Sequence, residues 1–169
     1  ENIEIFQAAK ELLIGDVLLS SAFISYIGPF TKQYREEMLM KHYVPFLETA
    51  ADGERVPMSD EPNPRAILTN EAEVAQWNSE GLPSDRVSVE NACIVANTAR
   101  WPLMIDPQLQ GIKWLRQREE NLGEGHTCKV LQLTQNNWLR HITNAIQQGQ
   151  TIIIENVSED IDATLDPVL

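Results

Sequence analysis

The residue types that bear on chemistry fall in one stretch, Asp106-Pro107-Gln108-Leu109-Gln110-Gly111-Ile112-Lys113, and in one later pair, Glu155-Asn156. The apolar run Leu103 to Ile105 leads into the first and Ile152-Ile153-Ile154 into the second. A strand, a tight loop and a helix in this order form the frame of a P-loop, where backbone N–H groups at the helix start cradle phosphate. A second apolar strand ending in acidic residues is the frame that holds Mg²⁺ and positions water. The comparison pattern is G-x-x-x-x-G-K-[ST]. Aligned on Gly111, it puts Asp106 at the first Gly, Ile112 at the Lys and Lys113 at the Ser/Thr.

The frame is there and most of its chemistry is not. Asp106 brings negative charge to where phosphates would lie. Leu109 places a side chain where small residues let N–H groups close in. Ile112 removes the lysine that reaches the β- and γ-phosphates, and Lys113 is turned away by about 100°. Glu155 stands where a metal-organising Asp is expected. Asn156 stands where a Glu would polarise water, and an amide cannot act as a base. The stretch therefore reads as a vestigial P-loop, Asp106 to Lys113, with a vestigial Walker B pair, Glu155 and Asn156, predicted to be empty. No catalytic residue and no metal ligand is assigned. Two other readings stand beside it. In one, the shifted Lys113 compensates and the loop is a regulatory ATP/ADP site. In the other, Asp106 and Glu155 are paired carboxylates at the carboxyl ends of neighbouring strands, suited to acid/base work.

The elements that would position these residues are legible from periodicity. Trp101 to Ile105 is expected to be a first strand, closed by Asp106-Pro107 because Pro107 cannot donate to a ladder. A helix follows from Gly111 to about Glu120. Leu122 to Thr127, with Gly123 and Gly125, is a turn. Lys129 to Leu133 alternates as a second strand. Asn136 to Gln148 is an amphipathic helix with Trp138, Ile142, Ala145 and Ile146 inward, His141 outward and Gly149 as its stop. Thr151 to Ile154 is an unbroken apolar run, as in a buried parallel strand. The order β-α-β-α-β implies a parallel sheet. His126 and Cys128 are two donor types close together, short of the roughly four a zinc site needs.

Ahead of this lies a helical region. Residues 3 to 27 read as one long helix, with Leu18 and Phe23 both expected in its buried face. Gly28-Pro29 stops it. Its apolar content approaches that of a membrane span, but Asp16, Ser20, Ser21 and Ser25 oppose one. A second helix, Thr31 to Leu47, has Thr31 as its cap and Tyr34, Met38, Leu39 and His42 on its buried side, with Pro45 kinking or ending it. Residues 50 to 66, with Asp52-Gly53-Glu54, Asp60-Glu61-Pro62 and Asn63-Pro64, read as loop and as the boundary between two subdomains. Asn70 to Glu80 is a short helix with an Asn70/Glu73 capping box and Trp77 inward, ended by Gly81. Ser84 or Asp85 caps the next, Val87 to Asn97, on which Cys93 reads as a small core residue.

The chain has 169 residues, 43% of them hydrophobic, enough for a buried core. Its net charge of −12 and pI of about 4.6 argue against nucleic acid and anionic membranes as partners. Two isolated cysteines suit a reducing compartment. The first residue is not Met and no basic leader precedes the helix, so the chain reads as a piece of a longer one.

Several runs resemble one family. Gly15-Asp16-Val17-Leu18-Leu19-Ser20-Ser21-Ala22-Phe23-Ile24-Ser25-Tyr26 and Gly28-Pro29-Phe30 look like the segment after the microtubule-binding stalk in dynein heavy chains. Gly81-Leu82-Pro83-Ser84-Asp85, Ser88-Val89-Glu90-Asn91, Trp101-Pro102-Leu103-Met104-Ile105-Asp106-Pro107-Gln108 and Glu155-Asn156-Val157 resemble the fifth AAA+ module of that motor. Asp162 and Asp166-Pro167-Val168-Leu169 continue the match. The Gly-Pro-Phe and Trp-Pro forms look more axonemal than cytoplasmic.

The resemblance implies an α/β fold: an N-terminal helical hairpin, then part of a parallel-sheet, P-loop NTPase-like AAA+ large subdomain. Residues 1–65 would complete the small subdomain of the fourth module, and residues 66–169 would begin the large subdomain of the fifth. The family's fourth strand lies between its first and third. The parent would be a minus-end-directed ATPase ring in the cytoskeleton of cilia or flagella. The implied role for this segment is a structural, nucleotide-independent module coupling the stalk-bearing module to its neighbour. ATP and Mg²⁺ would bind in other modules. The implied partners are the neighbouring modules, other dynein chains and, through the stalk, the microtubule. The family often carries Gly where this chain has Leu109.

Overall fold

The structure is a computed structural model that describes residues 2–49, 55–123, 126–159, 161 and 163–165. The expected features at Asp52-Gly53-Glu54, Gly125, Asp162 and residues 166–169 lie outside the described residues. The chain folds as two compact units, one from residues 1–75 and 84–102, the other from residues 76–83 and 103–169.

The first unit is helical. Helix α1 (Asn2–Tyr26) is followed by α2 (Lys32–Glu37), a π-helical stretch (Met38–Tyr43) and α3 (Val44–Thr49), then by α4 (Pro64–Leu68) and α6 (Arg86–Asn97). Helix α5 (Glu71–Ser79) lies between α4 and α6 in the chain. The buried stripe of α1 repeats every four residues: Gly15 and Asp16, Leu19 and Ser20, Phe23, then Ile27 just beyond its end. Leu19, Phe23, Ile27 and Leu39 form the core, joined by Ile24, Met38, Val44, Leu47, Leu68 and Ile94. Each fully buried large side chain contributes roughly 1.5–3 kcal/mol by leaving water.

Several expectations are corrected here. Leu18 is 49% exposed while Phe23 is 2% exposed, because a four-residue stripe through 15, 19, 23 and 27 puts 18 on the opposite flank. Thr31 sits at the start of α2 but its hydroxyl makes no capping bond. Tyr34 and His42 face outward, and Arg35 and Leu39 are the buried residues of that helical stretch. Pro45 does not end the helix. The wider π turn just ahead of it accommodates a ring that would meet the Lys41 carbonyl in a regular α-helix. Part of the expected 50–66 loop is α4, started by Asn63, whose side chain accepts from the Arg65 N–H, with Pro64 in the first turn. No described helix is long and apolar enough to cross a membrane. Asp16 is buried and accepts from the Ser59 N–H at 3.0 Å and from the Ser59 hydroxyl.

The capping signals at Asn70/Glu73 and Asp85 hold. Glu73 N–H donates to Asn70 Oδ1 at 3.0 Å, and Asn70 N–H donates to Glu73 Oε2 at 3.3 Å. Asp85 accepts from the N–H groups of Val87 and Ser88. The Ser88 hydroxyl and N–H hold the Asp85 carboxyl below its ordinary value of 3.8. A depressed carboxylate stabilises the fold above its ordinary pKa and loses that contribution as pH falls through the lowered value. Replacing Asp85 by Ala is expected to cost about 1 kcal/mol locally. Hydrogen exchange at Val87 and Ser88 checks this, with roughly fivefold faster exchange at neutral pH. The wild type should lose the same protection only in strong acid.

The second unit holds the sheet. Helix α7 (Gln110–Asn121) precedes strand β1 (Cys128–Gln132), helix α8 (Trp138–Gln147), strand β2 (Thr151–Glu155) and a 3₁₀ turn (Ala163–Leu165). The strands are parallel and pair Cys128 with Thr151 through to Gln132 with Glu155. The core here is Leu131, Ile142 and Leu165, with Leu133, Trp138, Ile152 and Ile154 packed on it. Trp77 and Trp114 meet edge to face, with the Arg118 guanidinium over both rings. Ile146 is exposed, contrary to expectation, and Gly149, at φ +63°, ends α8 as expected.

The expected first strand, Trp101 to Ile105, forms no strand: among the described residues the sheet consists of β1 and β2. A strand needs ladder partners, and no described segment supplies one here. Leu103 and Ile105 stand 79% and 86% exposed. For the same reason β2 is half-buried along its length, since each strand has a neighbour on one side only.

Candidate functional site

The helix start at α7 decides what this site can do. The first N–H groups of any helix lack intrahelical partners and carry partial positive charge, so they attract an anion. In this chain the anion is Asp106. Its Oδ1 accepts from the Gln110 N–H at 3.0 Å and its Oδ2 from the Ile112 N–H at 3.1 Å. Both carboxylate oxygens therefore lie where phosphate oxygens lie in a P-loop. The Leu109 N–H closes the turn onto the Asp106 carbonyl at 3.1 Å.

Gly111 permits this approach. A Cβ there would overlap Met104 Cε and stand 3.3 Å from Asp106 Oδ2. Leu109 takes the left-handed conformation at φ 58°, costly for a residue with a Cβ, and its side chain is exposed. Pro107, Gln108 and Gln110 are exposed, Ile112 is half-buried and Lys113 points to solvent. A phosphate there would have to displace Asp106 and would find no lysine at the regular position.

At the other end of the predicted site, Glu155 is half-buried at the end of β2, opposite Gln132 in register. Asn156 follows in the left-handed conformation at φ 54° and is exposed. No hydrogen bond joins Asp106 to Glu155 among the described residues, and Asp106 does not end a strand.

The thiols are poor nucleophiles. Burial pushes Cys93 up to about 11, and burial together with Glu119 raises Cys128. Among the described residues no group of three or more His, Cys, Asp or Glu side chains could hold a metal ion.

The sequence puts a negative charge at this helix start, and the structure adds that the Asp106 carboxylate accepts from the Gln110 and Ile112 N–H groups. An acidic residue four positions ahead of a helix start, with a glycine in the first turn to let it close, is the signal that could have found this.

Residues 75–169 match the protein family described as "ATP-binding dynein motor region". Residues 1–47 match the family described as "Microtubule-binding stalk of dynein motor". The chain is 47% identical over all its 169 residues to "Dynein beta chain, ciliary" of Tripneustes gratilla. It is 44% identical over the same length to "Dynein axonemal heavy chain 17" of Homo sapiens. It is 41% identical over 168 residues to "Dynein beta chain, flagellar outer arm" of Chlamydomonas reinhardtii. The chain spans about 4% of the length of each of these curated relatives.

Proposed function

The chain belongs to the dynein heavy chain family, and we propose from that premise that it is a structural, nucleotide-independent part of the motor ring. In this reading residues 1–65 complete the small subdomain of the fourth AAA+ module, and residues 66–169 begin the large subdomain of the fifth. The segment couples the stalk-bearing module to its neighbour in an ATP-driven, minus-end-directed motor. ATP and Mg²⁺ act in other modules. The neighbouring modules and other dynein chains are its partners, and the microtubule is reached through the stalk. The ciliary, axonemal and flagellar names of the relatives support a place in the axoneme.

One observation carries the nucleotide-independent part: the Asp106 carboxylate bonded to the N–H groups of Gln110 and Ile112. An aspartate already in place costs no ordering on binding. It also repels the di- or triphosphate that would replace it, and no lysine offsets that repulsion.

The other reading, a regulatory ATP or ADP site, is favoured by the words "ATP-binding" in the matching family's description. A structure of the full-length heavy chain at saturating ATP or ADP separates the two. The structural reading expects Asp106 still seated on α7 and no nucleotide beside it. Nucleotide density against Gly111, with Asp106 turned away, would establish the regulatory site instead.

A further inference from the structure

A glycine-proline turn between two helices is a natural hinge, since glycine adds freedom and proline removes a backbone donor. Gly28-Pro29 stands at that place, between α1 and α2. It is not left free. The buried Arg35 guanidinium, 2% exposed, donates to the carbonyl on each side of Pro29, to Gly28 O at 2.9 Å and to Phe30 O at 2.8 Å. The same group donates to Glu90 Oε2 at 3.0 Å and to Asn91 Oδ1 at 2.7 Å, both on α6. Ile94, one turn further along α6, lies 4.0 Å from where a Gly28 Cβ would stand, and packs on the core around Phe23 and Ile27.

A planar fork serves four acceptors at once, which an ammonium cannot do with this geometry. It also places a cation at the negative end of the long helix α1. The charges close into a ring. Glu90 accepts from Arg86 Nε at 2.7 Å, and Arg86 pairs with Glu36, next to Arg35 in the chain. The Arg86–Glu36 side is about half exposed and is worth little. The Arg35–Glu90 side is buried, so losing one partner there is costly. Arg35 lies in the part matching the microtubule-binding stalk, and Glu90 and Asn91 lie in the part matching the motor region.

We propose that Arg35 is a positioning residue that removes the hinge at Gly28-Pro29 and ties the end of α1 to α6, so that displacement of α1 is passed to α6 instead of being absorbed at the turn. This rests on the coupling role proposed above and names the residues that carry it.

The test uses the full-length heavy chain with two readouts: exchange of the Phe30 amide, which donates to the Ile27 carbonyl at 3.1 Å, and the ratio of microtubule-stimulated to basal ATPase rate. Arg35→Lys keeps the charge and loses the fork. It is expected to speed exchange at Phe30 about tenfold, and to lower the stimulation ratio toward one with basal ATPase retained. Asn91→Ala should do the same more weakly, and it decides the matter if Arg35→Lys fails to fold. Glu36→Gln should leave both readouts at the wild-type values. Unchanged exchange at Phe30 would overturn the proposal while leaving the coupling role intact. Faster exchange with an undiminished stimulation ratio would overturn it too, by showing a turn that is locked for stability alone. A wild-type protein without microtubule stimulation would overturn the coupling role itself, and this inference with it.

Discussion

Phe23→Asp is expected to unfold the helical unit, while Leu18→Asp, five residues earlier on the same helix, is expected to be tolerated. Phe23 is 2% exposed inside the cluster of Leu19, Ile27 and Leu39. Removing a buried phenylalanine alone costs about 3–5 kcal/mol through lost transfer energy and the cavity left behind. An aspartate in its place adds an unpaired polar group with no described partner nearby, for a further penalty of roughly 1–3 kcal/mol. Against a domain stability of about 5–15 kcal/mol, that sum is disabling. Leu18 is 49% exposed, so its carboxylate would stay in water, and the cost should remain below about 1 kcal/mol. Denaturant melts of the chain followed by far-ultraviolet circular dichroism check the contrast. Equal effects from the two substitutions would contradict the four-residue stripe that defines the buried face of α1.

Gly15→Ala is the second large effect, and its sign is unusual. In a helix interior Ala is better than Gly by about 1 kcal/mol. At this position a Cβ would stand 2.6 Å from the Pro57 carbonyl oxygen and 2.6 Å from Met58 Cβ. The carbonyl is backbone and cannot rotate aside. The Gly15 N–H donates to that oxygen at 2.9 Å, and Asp16 holds Ser59 just beyond. Residues 57–59 thus run against α1 at a separation only glycine allows. Pushing them away strains the packing by roughly 1–3 kcal/mol. It also leaves the buried Asp16 without its donors, at about 1–3 kcal/mol more. The clash outweighs the propensity gain, and a net loss of about 3 kcal/mol is expected. Loss of amide protection at Ser59 marks the mechanism. A neutral or stabilising Gly15→Ala would show that the segment can step aside.

The parts of this fold that were legible in the sequence are those set by local chemistry. The Asn70/Glu73 box, the Asp85 cap, the glycine stop at Gly149 and the parallel pair β1–β2 depend on residues close in the chain, or on runs whose period is unambiguous. What was misread depends on partners. The Trp101–Ile105 run has strand character, but pairing is a property of two segments and no described segment offers a ladder to it. Leu18 and Phe23 lie in the same broad apolar stretch, and only the position of α4, α6 and residues 57–59 decides which of them is covered. The candidate site divides in the same way. The absent lysine and hydroxyl can be read from Ile112 and Lys113. The closure of Asp106 onto the Gln110 and Ile112 amides depends on a turn through a left-handed Leu109, which no residue preference predicts.

Photoaffinity labelling of the full-length heavy chain with an azido-ATP analogue, followed by mapping of the labelled peptides, tests the central claim most directly. A site whose helix start is already held by Asp106 should take no label between residues 103 and 118 at micromolar analogue, while peptides from other modules of the same chain are labelled. Label within that stretch that is competed by unmodified ATP and lost in Lys113→Ala would contradict the account, since it would mean that the displaced lysine restores a working nucleotide site.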